Sequence, residues 1–219
     1  MLVLYPMDSK IKTIAIIVAH PDDETLWAGG TILNNPGREY FIVSLCRKND
    51  PDRAPKFKKV LDILGAEGIM GDLDDGPEQI SLAESEVQDA ILQLLPEKHF
   101  DLIITHSIYG EYTRHRRHEE TGKAVIKLWH SGKIKTSELW AFAYKDGHKT
   151  YLPTVNEDAT IFYPLPLAVW ENKFDIITKI YGFAMDSWEA RTTPKEEAFW
   201  QFEHAKQAQE WLDSGNIKS

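Results

Sequence analysis

The sequence predicts an α/β fold: an open, mostly parallel sheet flanked by helices, in one domain with a less regular C-terminal third. Three observations predict it. Short apolar runs of strand length recur through the first two-thirds of the chain. Segments whose apolar residues have helical spacing alternate with them. No linker marks a domain boundary.

"TIAIIVA" (13–19) and "YFIVSLC" (40–46) read as the first two buried strands. Phe57, Val60, Leu61 and Leu64 share one helix face, and Gly65 is a natural stop. "EGIMGDL" (67–73) reads as a short third strand. "SLAESEVQDAILQLLP" (81–96) opens on a Ser81–Glu84 capping box, carries the stripe Val87, Ile91, Leu94 and Leu95, and ends at Pro96. "FDLIITH" (100–106) and "SELWAFAY" (137–144) complete five strands. Gly29 and Gly30 let the first helix approach the sheet closely.

The α/β part thus spans about 12–145, and a C-terminal strand and helices fill about 146–219 of the single 1–219 domain. In that last third, "ATIFYPLP" (159–166) reads as an edge strand, and 167–181 has helical spacing. "TTPKEEAFWQFEHAKQAQEWL" (192–212) predicts one helix, with Thr193 as N-cap, Pro194 at the first helical position and Glu196 closing a capping box.

Composition narrows the function classes. Lys plus Arg is 25 against 34 for Asp plus Glu, a net charge of −9, which argues against a nucleic-acid partner. The single cysteine, Cys46, excludes an internal disulfide and a cysteine-built zinc site, and a buried inert thiol is expected. The N-terminus has no basic region of a signal peptide, and no apolar run reaches the length of a membrane span. A soluble, cytoplasmic protein is expected. No GxGxxG supports a dinucleotide site. A homo-oligomer is left open.

Ligands in open α/β sheets bind beyond the carboxyl ends of the strands. Two stretches there combine histidine with carboxylates: "HPDDE" (20–24) after the first strand and "HSIYGEYTRHRRHEETG" (106–122) after the fourth. His20 and Asp23 are three residues apart, which fits one tight turn. A third donor from His115 or His118 would complete the set for a catalytic zinc, which keeps an open position for water. Asp22 would then lie beside that water as a general base. Bland readings stand beside these: "PDDE" suits the first turn of any helix, and "HRRH" suits a solvated basic loop. Neither explains both stretches together.

"AHPDDE" after a strand resembles the hallmark of the LmbE-like, or PIG-L-type, zinc N-deacetylases. The likeness covers roughly residues 12–130, the Rossmann-like part. That family's second motif, His-Pro-Asp-His, corresponds here to His115-Arg116-Arg117-His118. The resemblance implies Zn²⁺, or another divalent metal, on His20, Asp23 and His118. It implies Asp22 as general base, His115 as oxyanion stabiliser and proton donor, and Arg53 as a substrate contact. The implied substrate is a small N-acylated amino sugar or its conjugate. The chain departs from the pattern at Arg117, where the family has an aspartate supporting the catalytic histidine. Either a carboxylate from Glu111, Glu119 or Glu120 takes that place, which is favoured, or Arg117 turns outward. Two rival readings follow: an amidase for non-sugar acyl amines, and a zinc-binding homologue with weak catalysis. Asp75 reads as part of an Asp-Gly turn, and His106 as a supporting or structural residue.

Overall fold

The computed structural model describes residues 7–113 and 115–215. Part of the N-terminal stretch read for targeting, residues 1–6, lies outside them. The elements run β1 (Thr13–Val18), α1 (Asp23–Asn34), β2 (Glu39–Cys46), α2 (Arg53–Leu64), β3 (Glu67–Leu73), α3 (Glu84–Leu94), β4 (His99–Thr105), α4 (Arg116–His130) and β5 (Lys135–Phe142). There follow β6 (Tyr144–Lys145), β7 (Thr154–Val155), β8 (Ile161–Pro164), α5 (Leu167–Asp175), a π-helical turn (Ile176–Ile180), α6 (Trp188–Thr192), β9 (Glu196–Phe202) and α7 (Ala205–Gly215).

The main sheet has the order β3-β2-β1-β4-β5-β9-β8. Its first five strands are parallel, and β9 and β8 add an antiparallel edge. Alternate residues of β1 feed two cores. Ile14, Ile16 and Val18 pack with residues of α1, α2 and α5's continuation. Ala15 and Ile17 pack with α3, α4 and α7. The strand order reverses between β1 and β4, and the crevice at their carboxyl ends is where such a sheet binds ligands.

The five parallel strands, the α2 stop at Gly65 (φ 64°) and the edge strand β8 match expectation. Two details do not. Residues 196–202 form β9 rather than the start of a helix, which begins only at Ala205. Leu139–Phe142 of β5 and Ile161–Pro164 of β8 pair on either side of them, and that pairing overrides the capping signal. Helix α3 begins at Glu84 with Ala83 as its cap; the Ser81 hydroxyl instead donates to Glu120. Cys46 is buried, and burial pushes its thiol pKa up, as expected of an inert thiol. No helix among the described residues is long and apolar enough to cross a membrane.

Candidate metal centre and catalytic site

β1 ends at Val18, and the turn behind it delivers His20 and Asp23 to the crevice. α4 brings His118 from the other side. It can come close because Gly122 has no side chain: a Cβ there would lie 2.4 Å from the His106 carbonyl oxygen. The result is a triad of buried atoms. His20 Nδ1 lies 3.1 Å from Asp23 Oδ2 and 3.2 Å from His118 Nε2, and His118 Nε2 lies 3.3 Å from Asp23 Oδ2.

The hydrogen bonds behind the triad assign its protons. His118 Nδ1 sits 2.6 Å from Glu111 Oε2, and His20 Nε2 sits 3.0 Å from Asp75 Oδ1. Each carboxylate takes an N–H, so the opposite nitrogens present lone pairs. Three lone-pair atoms then face one another at contact distance, which is repulsive unless a cation sits among them. The set, two imidazoles and a carboxylate, fits a divalent metal with an open position. His106 lies close as well, 3.4 Å from Asp23 Oδ2, but its Nε2 accepts the Ala19 N–H at 3.0 Å. That lone pair is occupied, so His106 supports the site rather than competing for the ion.

Asp22 precedes this cluster with φ 130° and ψ −28°, in the region L-residues avoid. Burial first, and then the charge of Asp23, raise its pKa well above the usual carboxylate range. Arg53 Nη1 lies 3.5 Å from Asp22 Oδ2, with its guanidinium 4.3 Å from the centre of the Phe183 ring.

His115 caps the start of α4 and stacks on His118 with ring centres 4.3 Å apart. Burial, then His118 and His20, lower its pKa to about 2, so it is a neutral imidazole. Its Nδ1 is buried with no hydrogen-bond partner among the described residues. The expected carboxylate substitute is therefore absent from His115. Glu111 serves His118 and His106 instead, and Arg117 takes the other course. It is only 1% exposed, and its donors go to the Asp74 carbonyl, Glu120 and the Ile80 carbonyl. The cation anchors the β3–α3 loop to α4 and leaves His115 alone.

His20, Asp22, Asp23, Arg53, Asp75 and His115 line one cavity of about 680 Å³, walled by Tyr112, Tyr151 and Trp188. The structure thus brings His20, Asp22, Asp23, Arg53, His115 and His118 together. Asp75 is more than a turn residue, because it holds His20 and is itself gripped by Arg47 at 2.5 Å. Asp75 and Arg47 both follow strands of the parallel sheet, and that position was the signal available for them.

The PIG-L family model, described as GlcNAc-PI de-N-acetylase, matches residues 15–129, a span holding every residue from His20 to His118. A relative of Acanthamoeba polyphaga mimivirus, uncharacterised protein L374, is 23% identical over 182 residues, covering 77% of this chain and 75% of its own. The fold is similar to that of the N,N'-diacetylchitobiose deacetylase of Pyrococcus horikoshii, with TM-score 0.68 and 17% identity over 92% of this chain and 89% of that one. It is also similar to Dbv21, the A40926 pseudoaglycone deacetylase, with TM-score 0.58 and 14% identity over 88% and 98%. With the strand-end motif, the converging triad and a family match across more than half its length, this chain belongs to the PIG-L family.

Proposed function

We propose that the chain is a metal-dependent hydrolase that removes an N-acyl group, acetyl in the first instance, from an amino sugar or its conjugate. One observation carries the reading: the lone pairs of His20, Asp23 and His118 converge at the floor of a cavity that Asp22 and His115 also line. Family membership and the deacetylase activity named for two structural neighbours support it.

His20, Asp23 and His118 would hold the ion, zinc by preference, although this donor set also serves other divalent metals. Such an ion supplies Lewis acidity toward an amide carbonyl and acidifies water. Asp22 accepts a proton from the water that attacks the acyl carbon. His115 is the donor left over for the developing oxyanion, since its Nδ1 has no partner among the described residues. The C–N bond breaks, the hydroxyl stays on the acyl carbon as a carboxylic acid, and the nitrogen leaves as amine with the proton Asp22 took. Arg53 at the rim orients the substrate, and the Tyr112 and Trp188 rings offer flat faces to a pyranose.

Amine release from N-acetylglucosamine and its conjugates, with metal analysis of the same protein, tests the reading. Asp22→Asn is expected to keep the metal and lose turnover; near wild-type turnover removes Asp22 as base. Release from simple acyl amines but not from sugars would favour the non-sugar amidase.

A further inference from the structure

The glutamate of the strand-end motif has no part in the triad, and neither does the C-terminal third. Both meet at Asp22. The Asp22 N–H donates to Glu24 Oε2 at 3.0 Å. The second oxygen of Glu24 accepts the Tyr181 hydroxyl at 2.7 Å and the Thr25 hydroxyl at 2.6 Å. Glu24 is 0% exposed and Tyr181 2%. A carboxylate placed only to favour a helix start would face solvent; this one is sealed and addressed by a residue 157 positions away. Tyr181 reaches it from the π-helical turn, whose Tyr181 N–H bonds back to the Ile176 carbonyl at 2.9 Å. Such one-turn insertions re-aim the residues that follow them.

A non-glycine residue at φ 130° persists only where its surroundings over-determine it. Its carbonyl is held by the Thr25 and Leu26 amides at 3.0 and 2.7 Å. Its amide is held by Glu24, and Glu24 by Tyr181. We propose that Glu24 and Tyr181 are positioning residues that lock the Asp22 backbone, so that its carboxylate stays aimed into the cavity while its neighbour Asp23 turns to the triad. This rests on Asp22 being the general base.

The test compares wild type, Tyr181→Phe, Asp22→Asn and the double variant, each as full chain loaded with Zn²⁺. Tyr181→Phe is expected to lower kcat by roughly 3- to 10-fold, the worth of one hydrogen bond. KM and zinc affinity should be unchanged. In the Asp22→Asn background it should cause no further loss. Amide exchange at Asp22, followed by NMR, should quicken in Tyr181→Phe whatever the substrate. Equal fractional losses in both backgrounds, or a fall in zinc affinity that matches the fall in kcat, would show ordinary packing and overturn the proposal. Unchanged kcat with unchanged Asp22 exchange overturns it too. If Asp22→Asn itself keeps turnover, the base assignment fails, and exchange at Asp22 alone decides whether Tyr181 holds that amide.

Discussion

One oxygen of Glu111, Oε2, lies between two imidazoles, 2.8 Å from His106 Nδ1 and 2.6 Å from His118 Nδ1. The carboxylate thereby fixes the tautomer of His118 and ties it to His106, which directly follows β4. In Glu111→Gln either the N–H₂ group faces both ring N–H donors, or the oxygen stays between the rings and the N–H₂ faces the Ser107 N–H that the second oxygen accepts at 3.0 Å. Metal affinity should fall roughly 10- to 100-fold, as when other outer partners of metal-binding histidines are lost. Competition with a chromophoric chelator measures this, and affinity equal to wild type would remove Glu111 from the site's support.

Arg117 is a structural cation rather than an intruder in the catalytic motif. Replacing it by aspartate to restore the family pattern would set a carboxylate beside Glu120 and strip Asp74 and Ile80 of their donors. Arg117→Asp should lose about 3 kcal/mol of stability, in the range for breaking a buried pair. Turnover per folded molecule should not rise. A gain in kcat without a drop in denaturation midpoint would contradict this.

Glu197 of β9 reaches into the middle of α1, where it accepts the amides of Gly30 and Thr31, both at 2.7 Å, and Lys173 Nζ at 2.7 Å. Lys173 and Glu197 are both fully buried. Lys173→Met should destabilise by about 3–5 kcal/mol, because the glutamate stays buried without its counter-ion. Urea unfolding measures it; a change under about 1 kcal/mol would mean that the amides suffice.

Asp101 holds the start of β1 through the amides of Thr13 and Lys12, at 2.9 and 2.8 Å. Those bonds, the Thr13 amide foremost, keep its pKa below the usual carboxylate range. A depressed pKa stabilises the fold fully above the unfolded value near 4, about 3.9 for Asp, and that stabilisation fades as pH drops toward the folded value. Asp101→Asn should flatten the stability curve between about pH 5 and pH 3 while leaving the rest of its shape alone. An unaltered slope in that window would refute the linkage.

The strands and the His20–Asp23 pair were legible in the sequence because both are local, whereas the third donor was left between His115 and His118 and only the family resemblance implied His118. Buried parallel strands are continuous apolar runs, and His20 and Asp23 sit in one turn behind such a run. What escaped depends on distant partners. β9 carries a strong helix-start signal in Thr193, Pro194 and Glu196, and only pairing with β5 and β8 reveals it as a strand. Glu111 was named as a candidate support, yet which histidine it would hold depends on how α4 docks. Arg117 stands where the family has an aspartate supporting the catalytic histidine, but closeness in sequence hides the direction of a side chain, and on a helix residues two apart point about 200° apart. Tyr181 offered no signal until its contact with Glu24 was seen.

The grip of Glu197 on α1 bears on modularity. The region matched by the family model ends at residue 129, but the helix that begins with Asp23 is clamped by residues 163–197. Gly30 leaves the space for that clamp: a Cβ there would sit 2.3 Å from Leu165 and 2.9 Å from Glu197. A fragment cut after β5 would therefore carry the whole motif set and still lack the part that keeps its first helix in register. Transplanting the motif onto another α/β scaffold would meet the same obstacle unless a buried acid came with it.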